Sequence, residues 1–251
     1  MSLSATDIKN IRALEQKRNR TETGLFVVEG LKTVEELVRS SVVVDRIYST
    51  ETFDFLSGMD KNIVHLINER ELERISALRS PNKILAVAKI PSVGEVDTDG
   101  SLIVALDGIN DPGNLGTIIR TAKWFGVNTV LCSENCADAY DRKVVQSSMG
   151  ALFHTNLHYC RLVEKLTMLK ENGFRLLGTG MTGTPLNEMN PSTKTVLVIG
   201  SESHGISPEV QHRCDELITI QNREKDRKVE SLNAGVAASI ILYQLTERSS
   251  R

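Results

Sequence analysis

Three separate stretches of the chain place glycines and small polar residues where an apolar run ends or a helix begins. They are residues 106–126 (LDGINDPGNLGTIIRTAKWFG), 196–207 (VLVIGSESHGIS) and 229–245 (VESLNAGVAASIILYQL). Junctions of this kind present free backbone N–H groups and leave room for a ligand to approach the main chain. Because three of them occur in one half of the chain, the sequence predicts a pocket for a bound cofactor.

The first stretch carries a turn, a helix start and one cation. The segment DPGN at 111–114 is typical of a turn, and Asn114 is predicted to be the N-cap of a helix that begins near Leu115. Arg120 follows six residues after Asn114, among apolar and small neighbours. Two interpretations are open: a surface arginine whose stem covers apolar groups, or a cation held at a pocket for a phosphate or a developing oxyanion.

The second and third stretches place polar side chains at a strand end and at a helix start. An apolar strand runs directly into Gly200, with Glu202 at the tip of the segment that follows, and such strand ends are where α/β sheets bind ligands. Ser231 and Asn233 open the last helix, where they can cap it and also face a ligand. Without any ligand, Glu202 is explained as a solvated acid in a plain turn, and Ser231 and Asn233 are explained as helix caps. Taken alone, each stretch therefore allows either a binding site or a purely structural role.

A glycine pattern at 178–183 (GTGMTG) matches the G-x-G-x-x-G fingerprint of dinucleotide sites. That fingerprint should open a helix, so that the pyrophosphate meets the helix N-terminus. Here no apolar helical repeat precedes the next strand at Val196. We therefore predict a glycine-rich loop, and a nicotinamide-dependent enzyme that uses these glycines is a rival function.

Composition and charge narrow the class of protein. The chain has 251 residues, 40% of them apolar and 25% charged, with a net charge of −2, which is ordinary for a globular protein. Basic clusters at 1–20 and 223–228 suit either phosphate contacts or solvated surfaces. Aromatic residues make up 4% of the chain, so an extended base-stacking platform is not expected.

The pattern of cysteines predicts reduced thiols in a cytoplasmic protein and no metal site. The length of the apolar runs predicts that no segment spans a membrane. The four cysteines form no C-x-x-C pair. His204 has no second metal ligand nearby, so we predict that it is a turn residue. No apolar run approaches the length of a membrane span and no secretory signal is evident.

The pattern of apolar segments predicts an α/β protein with two domains. Residues 1–92 alternate short helices and strands, beginning with a polar helix over 4–20 and including a helix over 52–58. Residues 93–100 lie in a stretch rich in Pro, Gly, Ser and acids and are predicted to be a linker. From 101 to 251, strands alternate with helices, which predicts a mostly parallel sheet with helices on both faces and a long helix over 231–246.

Taken together, the three stretches resemble the SpoU/TrmH branch of the SPOUT RNA 2′-O-ribose methyltransferases. The family's N-x-x-x-x-x-R motif corresponds to Asn114 and Arg120, its G-x-E-x-x-G-[IL] motif to residues 200–206, and its V-E-S-L-N-x-x-V-A motif to 229–237. The resemblance covers residues 101–246 well. Residues 17–37 also look like the family's RNA-binding domain, which is similar to small RNA-binding modules of ribosomal proteins, over 1–92 of this chain.

The resemblance implies a trefoil-knotted domain over 101–251 that binds S-adenosylmethionine, works as a homodimer, and methylates a ribose 2′-hydroxyl of tRNA or rRNA. It implies roles for residues at three places. The reacting groups would be oriented by Asn114, Arg120, Glu202, Ser231 and Asn233. The cofactor would be held, mostly through backbone groups, by Gly180, Gly200, Ile220 and Leu232. RNA would be bound by Lys17, Arg18, Arg20 and Lys32.

One segment departs from the family pattern. Family members run I-P-M-x-G-x-V-E-S before the third motif, whereas this chain runs IQNREKDRKV from Ile220 to Val229, three residues longer and without the Pro-Met and the glycine. A non-catalytic RNA-binding relative is therefore the alternative function, and the basic insert is a candidate RNA contact. Family proposals make Arg120 a general base, but arginine stays protonated in proteins, so stabilising an alkoxide or clamping a phosphate is the role that we predict.

Overall fold

The computed structural model describes residues 3–98, 100–189, 194–223 and 231–249. The chain forms two compact units. The first combines the chain up to Ser92 with Asp138–His154, and the second combines Val93–Ala137 with the chain from Thr155 onward. The alternation of strands and helices predicts that residues 138–154 belong to the second domain, whereas the structure groups them with the first. Among the described residues, no helix has the length and apolar character needed to cross a membrane.

The first unit is built on a four-stranded sheet. Its elements are α1 (Ala5–Ala13), α2 (Lys17–Thr23), β1 (Leu25–Glu29), α3 (Leu31–Arg39), β2 (Val44–Ser49), β3 (Val64–Leu66), α4 (Glu69–Ile75), β4 (Ile84–Lys89) and α6 (Arg142–Ser148). The strand order is β1-β4-β2-β3, with β4 antiparallel to both β1 and β2 and with β2 parallel to β3. Alternate strand residues face opposite sides of a sheet. Val27, Leu85 and Val87 thus pack with Ile8 and Leu72 on one face.

The opposite face of this sheet is covered partly by the segment from the second half of the chain. Phe26 on β1 is fully buried, and its ring lies 4.9 Å from that of Tyr140 and 6.3 Å from that of Phe153. Arg142 on α6 forms an ion pair with Glu29 at the end of β1. The first unit therefore needs residues 138–154 to complete its core.

The second unit contains six parallel strands. Its elements are β5 (Leu102–Asp107), α5 (Pro112–Trp124), β6 (Thr129–Cys132), β7 (Asn156–Tyr159), α7 (Leu162–Glu171), β8 (Arg175–Pro185), β9 (Thr195–Gly200), α8 (Pro208–Gln211), β10 (Glu216–Thr219) and α9 (Ala234–Ser249). The strand order is β10-β8-β9-β5-β6-β7, and every pairing is parallel. Parallel strands present all their carboxyl ends at one edge of the sheet, which is where such sheets bind ligands.

Helices cover both faces of this sheet. Ile103 and Ala105 of β5 pack in one core cluster with Leu166 and Leu169 of α7, while the alternating Val104 is equally buried on the other side. Helices α5 and α9 pack against each other, and α9 also contacts β9. The α/β fold class with a mostly parallel sheet and a smaller N-terminal α/β unit is therefore confirmed.

Four local predictions were wrong. The helix expected over 4–20 is interrupted between α1 and α2, and the helix expected over 52–58 is only a short 3-10 turn at Asp54–Leu56. The final helix begins at Ala234 rather than at Ser231. The glycines at 178–183 belong to strand β8 rather than to a loop.

Close packing against β10 explains the glycines of β8. A Cβ at Gly183 would lie 2.3 Å from the carbonyl oxygen of Leu217, and Gly183 has a φ of +147°. The β8–β10 pairing also shifts register between Leu217 and Ile218. These glycines therefore permit a bulged strand pairing, and no helix starts there to receive a dinucleotide phosphate.

Candidate functional site

Side chains from all three stretches meet in one hydrogen-bonded junction. Asn114 donates through Nδ2 to Oε1 of Glu202, and the same Glu202 oxygen accepts from the backbone N–H of Ala234 at 3.1 Å. Asn233 donates through Nδ2 to Oδ1 of Asn114 at 2.8 Å. Since Ala234 begins α9, the Glu202 carboxylate also lies at the positive end of that helix, where an anion is stabilised.

The register of the sheet brings the first two stretches together. Asp107 at the end of β5 pairs with Gly200 at the end of β9, so the segments after these strands begin side by side. In the first segment the helix cap is Asp111, whose Oδ1 accepts from the N–H of Asn114 at 2.8 Å. The prediction that Asn114 caps α5 was wrong, and its side chain is thereby free to reach Glu202.

Asn233 serves both as a cap and as a member of the junction. Its Oδ1 accepts from the N–H groups of Gly235 at 3.0 Å and Val236 at 3.3 Å, in the first turn of α9. Its Nδ2 donates to Asn114. Asn233 therefore caps α9 and also joins the junction, while its predicted role of facing a ligand stays a prediction.

The loop that carries Glu202 is closed on itself. Ser201 N donates to the carbonyl oxygen of Gly205 at 3.1 Å, and Gly205 N donates to that of Ser201 at 2.8 Å. A Cβ at Gly200 would lie 2.0 Å from the Gly205 carbonyl carbon, a distance that no side chain tolerates. The glycines at both ends of this motif thus allow a tight turn that fixes where Glu202 stands.

A cavity of about 440 Å³ opens next to the junction. All four residues predicted to hold the cofactor line it, namely Gly180, Gly200, Ile220 and Leu232, and so do Glu202 and Ser231. Ile199, Ile218 and Ile241 give it apolar walls. A mainly apolar cavity of this size with a few polar groups at its edge suits a small organic ligand.

Sequence reasoning missed several residues around this cavity. They are Thr179, Met181 and Thr219, whereas Gln221, Asn222 and Arg223 belong to the segment after Ile220 that the sequence already marks as departing from the family pattern. The signal that could have found Thr219 is its place at the end of β10. For Thr179 and Met181 the signal is the glycine-rich part of β8, where the pairing with β10 shifts register. Residues 224–228 of the basic insert lie outside the described residues. The RNA contact predicted for that insert therefore stays a prediction.

Arg120 does not join the junction or line the cavity. It is exposed on α5, and within the described part of the chain its guanidinium has no hydrogen bond or ion pair. Its spacing from Thr117 and Trp124 places the three on one face of the helix, and Trp124 is 84% exposed. Arg120 is therefore an unpaired cation on an outward-facing stripe.

The predicted RNA-binding residues divide into two kinds. Lys17, Arg18 and Lys32 are exposed in the first unit. Arg20 is only 3% exposed, and its guanidinium donates to Asp138 and to the carbonyl oxygens of Leu14 and Glu15. The assignment of Arg20 to RNA binding is therefore corrected: its donors are used inside the fold.

The thiol groups of the chain lie outside the lining of this cavity. All four cysteines are free thiols, and none of them lines the cavity. A hydrogen bond from Cys132 lowers the pKa of the Cys136 thiol to about 6, against the opposing effect of burial. Within the described ranges, no group of three or more His, Cys, Asp or Glu side chains is arranged to hold a metal ion.

Comparison with known protein families matches both parts of the chain. Residues 101–243 match the model of the SpoU rRNA Methylase family, and residues 5–86 match that of the MRM3-like substrate binding domain. The 23S rRNA (guanosine(2553)-2′-O)-methyltransferase RlmP of Bacillus subtilis is 30% identical over 240 residues, which is 95% of each chain.

Solved structures agree with the fold over nearly the whole chain. A putative RNA methyltransferase of the TrmH family from Porphyromonas gingivalis superimposes with a TM-score of 0.88 at 34% identity, covering 98% of this chain and 99% of that one. The SpoU methyltransferase AviRb from Streptomyces viridochromogenes, in complex with AdoMet, superimposes with a TM-score of 0.86 at 25% identity and covers 99% of both chains.

Proposed function

Because the chain belongs to the SpoU rRNA methylase family, we propose that it transfers the methyl group of S-adenosylmethionine to a ribose 2′-hydroxyl of RNA. The observation that carries this proposal is the junction of Asn114, Glu202 and Asn233 at the mouth of the cavity. At that point, polar side chains from three distant motifs form hydrogen bonds with one another. Such an arrangement holds the polar side chains in fixed positions at a site, which goes beyond capping the first turn of a helix.

The cavity fits S-adenosylmethionine in size and in the chemistry of its lining. Its apolar walls, Ile199, Ile218 and Ile241, suit the flat face of an adenine. Gly180 within β8 and Gly200 at the end of β9 leave backbone groups accessible at the cavity. We therefore assign Gly180, Gly200, Ile220 and Leu232 to holding the cofactor, with Ser231 and Glu202 at its polar edge.

The residues of the chain would supply orientation and charge. S-adenosylmethionine, when bound, supplies an electrophilic methyl group on a sulfonium. The ribose oxygen must approach that methyl in line with the bond that breaks, so fixed geometry contributes much of the rate. Asn114, which donates to Glu202, and Asn233, which donates to Asn114, keep the site in one arrangement. Arg120 would contact the ribose oxygen or the neighbouring phosphate, where its permanent charge stabilises a developing alkoxide.

The first unit would hold the RNA. Lys17, Arg18 and Lys32 expose cationic groups there, and such groups bind phosphates by releasing counterions. We also propose that the protein works in the cytoplasm, where tRNA and rRNA are available to it. The likeness to RlmP extends over 95% of both chains, so 23S rRNA is the first RNA that we propose as the substrate, ahead of tRNA.

Calorimetry with S-adenosylmethionine, followed by methyl transfer to total RNA, tests this proposal. We expect saturable binding of the methyl donor and transfer to ribose 2′-oxygens. Folded protein that binds RNA but not S-adenosylmethionine would favour the non-catalytic relative. Binding of NAD in its place would favour the nicotinamide-dependent enzyme. Mapping 2′-O-methyl sites in RNA from cells with and without this protein then identifies the nucleotide.

We further propose that the protein works as a homodimer through the outer face of α5 and α9. Val236, Ile240 and Tyr243 follow one face of α9 and are 48%, 40% and 54% exposed. Trp124 on α5 adds the most exposed large apolar side chain among the described residues, at 84%. Exposed apolar side chains that share a helix face on a globular protein commonly mark an interface. Because α5 and α9 pack against each other, both helices can meet the same pair in a second copy, which is an isologous contact.

Charged substitutions on this face should produce monomers. We expect Ile240→Lys and Tyr243→Lys to halve the molar mass measured by light scattering after size-exclusion chromatography, because each would bury a charge at the interface. Val43, which is 57% exposed in the first unit, provides the matched control, and Val43→Lys should leave the mass unchanged. A wild-type protein that elutes as a monomer at micromolar concentration would contradict the dimer.

A further inference from the structure

The loop between β9 and α8 carries an imidazole that the mechanism above leaves unused. His204 is exposed, two residues after Glu202. Its backbone is fixed, because the His204 N–H donates to Ser201 Oγ at 3.2 Å and because Ser201 and Gly205 pair through both of their backbone groups. The ring therefore projects from a closed turn whose neighbouring members, Ser201 and Glu202, line the cavity.

A hydroxyl from the same loop orients this ring. Ser203 Oγ lies 2.8 Å from His204 Nδ1. When Nδ1 carries the hydrogen and donates it to Ser203, Nε2 presents a free lone pair. A base whose second nitrogen is held by another side chain is the arrangement by which enzymes deprotonate hydroxyl groups.

The proposed reaction needs such a base, and the charged groups that line the cavity do not provide it. Glu202 and Arg223 are the described cavity-lining residues with charged side chains. Arginine stays protonated in proteins, which excludes Arg223 and also Arg120 as proton acceptors. Oε1 of Glu202 already accepts from Asn114 and Ala234, so protonating that carboxylate would weaken the junction.

We propose that His204 accepts the proton of the ribose 2′-hydroxyl during methyl transfer, an inference that rests on the proposed function. The oxygen forms a bond to the methyl carbon while the methyl–sulfur bond breaks and its electron pair stays on sulfur. The hydroxyl proton moves to Nε2 of neutral His204, which becomes an imidazolium and later releases that proton to water. Ser203 is the positioning residue for this ring, and Arg120 stabilises the charge on the oxygen.

Single-turnover methyl transfer distinguishes this role from a plain turn. We expect His204→Gln to lower the rate constant about 100-fold or more, the usual contribution of a positioned base, with unchanged affinities for S-adenosylmethionine and RNA. Added imidazole should restore part of the rate to His204→Ala. His212 is an exposed histidine at the end of α8, so His212→Gln is the matched control and should behave like the wild type.

The ring itself can be observed without any turnover. In protein labelled with nitrogen-15 at histidine, NMR should show His204 as the Nδ1–H tautomer, and Ser203→Ala should remove that preference while Ser203→Thr retains it. A predominant Nε2–H tautomer in the wild type, or a normal rate in His204→Gln, would overturn the inference. Failure of the wild-type protein to transfer methyl at all would instead overturn the proposed function, so the two failures are distinguishable.

Discussion

Replacing Arg120 with alanine should lower the rate of methyl transfer about 100- to 1000-fold, the cost of removing one positioned donor from a developing oxyanion. The affinity for S-adenosylmethionine should stay unchanged, because Arg120 does not line the cavity. The measurements are single-turnover transfer to RNA and calorimetry with the methyl donor. Loss of rate without loss of cofactor binding would place Arg120 on the RNA side of the site.

Arg120→Lys refines this expectation. Lysine retains the positive charge but loses the planar fork with which arginine holds two oxygens at once. A rate close to that of Arg120→Ala would show that fork geometry matters more than charge. Arg161 is an exposed arginine on the segment before α7, paired with Glu164 at 2.8 Å, so Arg161→Ala is the matched control.

Two outcomes would contradict a catalytic role for Arg120. Full activity in Arg120→Ala is the first. The second is a loss of activity that follows a loss of dimer, since Arg120 shares a helix face with Trp124 in the proposed interface. Light scattering on each variant separates that second outcome from a loss of chemistry.

The residues of the site were predictable from the sequence because strand ends and helix starts fix where side chains lie. Gly200 and Glu202 follow an apolar strand, and Asn233 precedes a helix, so local pattern alone placed them at junctions. The sequence does not predict which hydrogen-bond partner each side chain has. Asn114 was assigned to capping, yet Asp111 takes that place three residues earlier, and only the sheet register at Asp107 and Gly200 brings Asn114 to Glu202.

Predictions failed where a distant contact overrides local composition. Six residues with three glycines at 178–183 are typical of a loop, but packing against Leu217 of β10 makes them a strand. Residues 138–154 follow a strand of the second unit and looked continuous with it, but Tyr140 and Phe153 complete the core around Phe26. The local pattern of apolar residues does not reveal packing partners that lie far away in the sequence.

Arg20 shows the same limit in a charged residue. The resemblance to the RNA methyltransferases implied that Lys17, Arg18 and Arg20 bind RNA. For Arg18, which is exposed, this stays a prediction. Arg20 lies on the opposite side of the short helix and reaches Asp138, which is 118 positions away in the sequence. Because both residues are arginines in the same basic cluster, residue type alone does not distinguish the exposed Arg18 from the buried Arg20.

Replacing Arg20 should destabilise the first unit by about 3–5 kcal/mol, because removing one partner of a buried ion pair leaves the other charge uncompensated. The guanidinium bonds Asp138 at 2.6 and 3.0 Å and also satisfies the carbonyl oxygens of Leu14 and Glu15 at 2.7 and 2.9 Å. Arg20→Met keeps most of the side-chain volume, so the loss measured is that of the charge and its hydrogen bonds. Hydrogen exchange should then show lower protection in β1 and β4 and little change in β5 and β9.

Arg18→Ala is the matched control for this experiment, since Arg18 lies on the same helix, is 85% exposed and pairs with Glu22 at 2.7 Å. It should cost less than about 1 kcal/mol of stability, as exposed ion pairs do, while weakening RNA binding. The double variant Arg20→Met, Asp138→Leu should recover part of the stability lost in Arg20→Met, because removing both charges leaves no unpaired ion in the core. If Arg20→Met instead kept wild-type stability and lost RNA affinity, Arg20 would belong with the RNA-binding residues after all.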